Sequence, residues 1–237
     1  SPLAPAYDFI FKDEQSDFQS GVDALSKIAP VYVGVAKGNT SFAHLRATQV
    51  TCFDGKYPVS NVGVQINHVA PINKGEIVWT IGAQEVVYIG RYVSKGKLDF
   101  TRTVALTGDH AIHCAYYKML PGTPYQSLLQ SNVQRGEAVC TIAGNPLCGE
   151  EATWETWLSP FTSQITVLKD GKGVHELLGW IMPRFDKFSM NGSFLSGLCS
   201  CLRKKTYKYD TRILGGHRQM IMSGEYEKVF PMDIFPE

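Results

Sequence analysis

The chain has 237 residues, of which 44% are hydrophobic and 19% charged, and its formal net charge is +1 with a pI near 7.6. This balance describes a globular chain long enough for one large domain or two to three modest ones, and it excludes a disordered polymer. It offers no reason to expect nucleic acid or an acidic substrate as a partner, and no run approaches the roughly 18 apolar residues that a membrane span requires.

The opening Ser-Pro-Leu-Ala-Pro has neither the basic region nor the apolar core of a signal peptide and reads as a cut linker, so the chain is expected to be a fragment of a longer subunit. Residues 1–8 are expected to be extended. Ser16, with Gln19 three residues on, reads as a capping box opening a helix whose face is Phe18, Val22, Leu25 and Ile28, with Pro30 ending it. Val31 to Val35 has the pattern of a buried parallel strand. Asn39 opens a shorter helix carrying Phe42 and Leu45, and Gln49 to Phe53 is a second strand. Helix, strand, helix, strand predicts an α/β layer with crossover connections.

Residues 54–61 form a turn-rich loop after that strand, where open α/β sheets place ligands. Val62 to Val69 is read as a helix capped by Asn61, residues 71–75 as a turn, and Glu76 to Ile81 as a strand. Ala83, Val86, Val87, Gly90 and Val93 then recur at helical spacing, with Lys95 in the last turn and Gly96 at the left-handed C-cap position. Thr103 to Thr107 is an apolar strand, and a second extended run ends at Leu120. Thr123, Pro124 and Gln126 read as the start of a capped helix that buries Leu128 and Leu129. Ala138 to Ile142 is a further strand. Trp154 and Trp157 suit a packed boundary, and Gln164 to Trp180 reads as a hairpin around Asp170-Gly171.

Six cysteines, at 52, 114, 140, 148, 199 and 201, are irregularly spaced and read as free thiols. No C-x-x-C pair and no G-x-G-x-x-G loop occurs. His110, His113 and Cys114 have ligand-like spacing, but no second pair follows to complete a tetrahedral site, so a polar hairpin tip is the plainer reading. Cys199 and Cys201 read as incidental thiols. Arg203 to Lys205 reads as a solvated face, or as a contact for anionic lipid or an acidic partner.

Several dispersed segments carry a family resemblance. The stretch from Trp79 to Leu129 (apolar helix, glycine, strand, Pro-Gly-Thr-Pro helix) resembles the soluble-ligand-binding β-grasp module of respiratory NADH dehydrogenases. That module occurs in the flavin subunit of complex I, the C subunit of the Rnf complex and the A subunit of the sodium-pumping NADH:quinone reductase (the NqrA family). Residues 2–9, 61–75, Glu176 to Trp180, Asp186 to Ser189 and the closing Glu225 to Pro236 are similar to the last of these, in the right order along nearly the whole chain. The resemblance implies a peripheral subunit on the cytoplasmic face of the bacterial inner membrane. Its partners would be the other subunits of the reductase, membrane subunits included, and its function would be to support electron transfer from NADH to quinone coupled to Na⁺ export. Quinone would be a ligand, with NADH and flavin acting at the level of the complex and no redox centre in this fragment.

The expected fold is α/β (α+β overall): a partial Rossmann-like layer over 1–98, a β-grasp module over 99–152 and a mixed C-terminal region over 153–237. Lys56, Tyr57 and Pro58 look like the lysine-tyrosine-proline that the complex I and Rnf relatives carry, although Ser60 and Asn61 depart from the continuation found there. Lys56, Tyr57 and His68 are therefore the candidate cofactor contacts. For His68 a hydrogen-bonded structural histidine is the better reading than a contact to quinone or a partner. No catalytic residue is expected. The alternatives are a flavin- or NADH-binding dehydrogenase module and a pure scaffold for assembly of the complex.

Overall fold

The computed structural model describes residues 3–39, 41–42, 44–55, 59–134, 138–146, 149–172 and 210–212. Lys56, Tyr57, Cys199, Cys201, Arg203 to Lys205 and the return arm of the expected 164–180 hairpin lie outside them. The protein is a mixed α/β chain that divides into two compact units, residues 1–133 with 141–166, and residues 134–140 with 167–237.

The first unit opens with a short helix α1 (Tyr7–Ile10), where an extended start was expected, and then helix α2 (Gln15–Ser26). The Ser16–Gln19 capping box does not form. Glu14 takes the N-cap position, and the Gln19 amide is drawn instead to Asp23 and to the backbone of Arg46. Strands β1 (Tyr32–Ala36) and β2 (Gln49–Phe53) pair in parallel, as the crossover pattern predicts, but they are only partly covered rather than buried on both faces. Turns replace the helix expected from Asn39. Its side-chain oxygen accepts the Ser41 N–H at 3.0 Å and its amide reaches Asp8 at 2.7 Å, a local bonding mode that competes with helix formation.

Helices α3 (Val62–Val69) and α4 (Ala83–Lys95) stand where the sequence predicts them, and Gly96 is left-handed at φ 66° as the C-cap of α4. Between them the expected strand Glu76 to Ile81 is neither helix nor strand and joins no sheet among the described residues. Phe11, Phe18 and Phe42 meet with centroids 5.2–5.7 Å apart, and Val22, Val35, Val86 and Val87 close the core around them. Burying each of these aliphatic side chains contributes about 1.5–3 kcal/mol relative to leaving it in water.

Strands β3 (Arg102–Thr107), β4 (Ala115–Met119), β5 (Val139–Ala143), β6 (Glu150–Ala152) and β7 (Gln164–Lys169) form a five-stranded sheet in the order β4-β3-β7-β5-β6. β3 runs antiparallel to β4 and parallel to β7, and β5 is antiparallel to β6. Helix α5 (Gln126–Asn132) buries Leu128 and Leu129 as predicted, but it begins after Tyr125, and the Thr123 side chain does not cap it. Trp157 is 66% exposed, which does not fit a packed boundary. In the second unit the described residues form one local cluster. Asp170 N–H donates to the Ala138 carbonyl, Thr211 N–H to that of Lys169, and Arg212 pairs with Asp210 at 2.7 Å.

Candidate functional site

Helix α4 and the loops beside β3 line an open cleft of about 350 Å³ in the first unit. Its apolar walls are Phe100, Leu120, Pro121, Pro160 and Phe161, and α4 contributes Glu85 and Tyr88, one turn apart on the same face. Gln84 registers the helix against the strand: its amide donates to the Thr103 carbonyl and its oxygen accepts the Thr103 N–H, both at 2.9 Å. The side chain thus serves the first residues of β3 as a neighbouring strand would.

The polar groups at the cleft are poised unequally. Arg102, with 2% of its side chain exposed, reaches Glu85 through Nη1 at 3.2 Å. Its Nε and the Tyr88 hydroxyl are both buried, and the hydroxyl leans on the Arg102 side chain without a hydrogen bond of good geometry. A buried donor left without a well-formed hydrogen bond costs about 1–3 kcal/mol. Burial raises the Tyr88 hydroxyl above its ordinary pKa, against the opposing field of the Arg102 guanidinium beside it, and keeps it a neutral donor. The ring itself is held edge-to-face by Phe100, 5.7 Å between centroids and 85° between planes, and the Arg91 guanidinium lies 6.0 Å from its centroid.

Arg91 supports this wall from behind. Its nearly buried guanidinium pairs with Glu14 at 2.5 Å and Asp99 at 3.5 Å, and donates to the Thr101 carbonyl at 2.8 Å. Those contacts tie α2, α4 and the approach to β3 into one frame. Hydrogen bonding from Thr101, by its side chain first and then by its N–H at 2.9 Å, and the Arg91 charge hold the Asp99 carboxyl below the usual range.

The residues singled out from sequence fall elsewhere. His68 is exposed on α3, and its Nδ1 lies 2.8 Å from the Val64 carbonyl, an intrahelical contact that suits the structural reading. Cys114 and His113 are exposed, with the Cys114 thiol 3.7 Å from the Gly108 carbonyl, and His110 is half-buried. Among the described residues no group of three His, Cys, Asp or Glu side chains gathers as a metal site would require. Sequence reasoning missed Tyr88, Arg102 and Phe161. The available signal was a tyrosine and a glutamate on the core-proximal side of the helix predicted over 83–95, followed by an arginine at the first position of an apolar strand.

No helix among the described residues is long and apolar enough to cross a membrane. Residues 1–98 match the family model described as the NqrA second alpha/beta domain. Over its full length the chain is 33% identical to the A subunit of the Na(+)-translocating NADH-quinone reductase of Alcanivorax borkumensis, covering 52% of that protein. It is 31% identical to the same subunit of Vibrio parahaemolyticus, again over all of this chain and 52% of the relative. The Shewanella frigidimarina protein is also 31% identical, over 99% of this chain and 52% of its own length. The chain thus spans about half the length of the curated relatives it matches, and it belongs to the NqrA family, the A subunits of Na(+)-translocating NADH-quinone reductases.

Proposed function

We propose that this chain acts as part of a peripheral subunit of a sodium-pumping NADH:quinone reductase on the cytoplasmic face of the membrane. It supports electron transfer from NADH to quinone alongside the other subunits, membrane subunits included. The similarity to NqrA proteins over the whole of this chain carries the reading. NADH and flavin act elsewhere in the complex. The division into a Rossmann-like layer over 1–98, a β-grasp module over 99–152 and a mixed region over 153–237 belongs to the same proposal.

The cleft beside α4 is the place within these residues where a quinone ring is received. Phe100 and Phe161 supply aromatic surface, and the Tyr88 hydroxyl supplies the donor that a quinone carbonyl needs. Arg102 adds a positive field at the same wall of the cleft. A short-chain quinone titrated into the 237-residue chain is expected to stabilise it saturably. At one hundred times its dissociation constant it contributes about 2.7 kcal/mol, a rise in melting temperature of about 5–10 °C for a chain of this size. Tyr88→Phe weakens binding about three- to tenfold, the loss of one hydrogen bond. Indifference to quinone, or full affinity in Tyr88→Phe, would remove the cleft from the reading. Stabilisation by NADH would favour a dehydrogenase module instead.

A further inference from the structure

The most exposed apolar stretch of the first unit is the arm between α3 and α4. Ile77, Val78, Trp79, Thr80 and Ile81 are β-branched or aromatic residues that form neither helix nor turn. Ile77, Trp79 and Ile81, which would share one side of a strand, are 82%, 90% and 49% exposed. No hydrogen bond joins the backbone of residues 77–81 to any described residue. Both ends of the arm are nonetheless held. Asn73 N–H donates to the Glu76 carboxylate at 2.8 Å, and the Gly82 carbonyl accepts the Val86 N–H at 3.2 Å, as the first bond of α4. An arm fixed at both ends loses little further freedom when it docks.

We propose that residues 76–81 are a β-strand that pairs with a sheet edge in the portion of the NqrA polypeptide lying beyond the stretch this chain matches in its relatives. The inference rests on family membership and not on the quinone cleft. Strand addition satisfies the unpaired N–H and C=O groups and covers the Ile77, Trp79 and Ile81 side chains in a single event. Acyl chains offer no partners for those backbone groups, and the neighbouring charges of Lys74 and Glu76 cancel rather than forming a basic patch for anionic headgroups. The relatives carry nearly half of their length outside the matched stretch, and a covalent link raises the effective concentration of that portion over any second copy.

Hydrogen–deuterium exchange tests the assignment. In the 237-residue chain, residues 77–81 are expected to exchange as fast as an unstructured peptide, whatever the protein concentration. In the Alcanivorax borkumensis protein expressed whole, the aligned segment is expected to be protected by about tenfold or more. Equally fast exchange in both overturns the proposal. Protection that rises with the concentration of the 237-residue chain assigns the strand to a second copy, and protection that appears only with phosphatidylglycerol vesicles assigns it to lipid; either overturns it as well. Trp79→Ser in the 237-residue chain is expected to melt with the parent, because the indole serves no surface of this chain. A drop of several degrees would show that the arm belongs to its own core and would refute strand addition.

Discussion

Helices α2 and α4 cross at two glycines, which makes Gly90→Ala the sharpest test of how the first unit is built. A methyl group placed on Gly90 would collide with the Asp17 carbonyl oxygen and crowd the Gly21 nitrogen, while one on Gly21 would strike the Val86 carbonyl. The obstacles are backbone atoms of a helix, so no side chain can swing aside and the two helices must part. Parting them loosens Val22, Val86 and Val87, and it strains the pairing of Asp17 with Lys95 at 2.7 Å. Overpacking against such a rigid surface costs up to about 3 kcal/mol. The better helix propensity of alanine returns about 1 kcal/mol. The net expectation is a loss of about 2 kcal/mol, or about 4–8 °C in melting temperature. Gly63→Ala is the control. Gly63 sits in exposed α3 with open space around the position a Cβ would take, so the same substitution there is expected to stabilise by up to about 1 kcal/mol. Urea denaturation of both variants, followed by circular dichroism, should separate them by about 3 kcal/mol with opposite signs. If Gly90→Ala is as stable as Gly63→Ala, the close helix crossing is wrong.

Arg91→Ala strands the carboxylate of Glu14, with 14% of its side chain exposed, beside an empty space and leaves Asp17 to Lys95, and it is expected to cost about 3 kcal/mol by urea denaturation; Arg91→Lys, lacking the planar fork, recovers only part of this. Burial raises the folded-state pKa of Tyr88 and Tyr125, so the folded chain holds those protons longer than the unfolded one. Their contribution to stability is complete below about pH 10 and is lost as pH rises through the folded values, so a melting-temperature profile should fall on the alkaline side, less steeply in Tyr88→Phe. Asp99 has the opposite sign: its carboxyl is held low by hydrogen bonds from the Thr101 side chain and N–H, and its contribution is present above the ordinary aspartate range and fades as pH drops through the lowered value. In Asp99→Asn that acid limb should flatten, and an unchanged limb would assign it to other carboxylates.

Helix α4 was legible to the residue at its end, because its evidence is local: apolar recurrence at three and four, a lysine in the last turn and a glycine able to turn left-handed at Gly96. The strand at 102–107, the parallel pairing of β1 with β2 and the burial of Leu128 and Leu129 followed from patterns just as short in range. The capping boxes did not survive. Gln19 and Thr123 had the right spacing, but Gln19 is taken by Arg46, a residue 27 positions away, and the backbone of Thr123 is tied to Leu158.

Family membership was readable from dispersed segments, and the candidate site was not. Tyr88 and Arg102 are ordinary residues in sequence; they become a site only when Gln84 registers α4 against β3 and the loops bearing Leu120 and Phe161 stand beside Tyr88. Residues 76–81 show the same division from the other side. Composition marks them as apolar and suited to a strand, whereas pairing depends on a neighbouring strand that local sequence cannot supply. Periodicity reports which face of an element is apolar. Only the tertiary structure decides what meets that face, because the contacts that satisfy a buried hydroxyl or an open strand edge come from residues far along the chain.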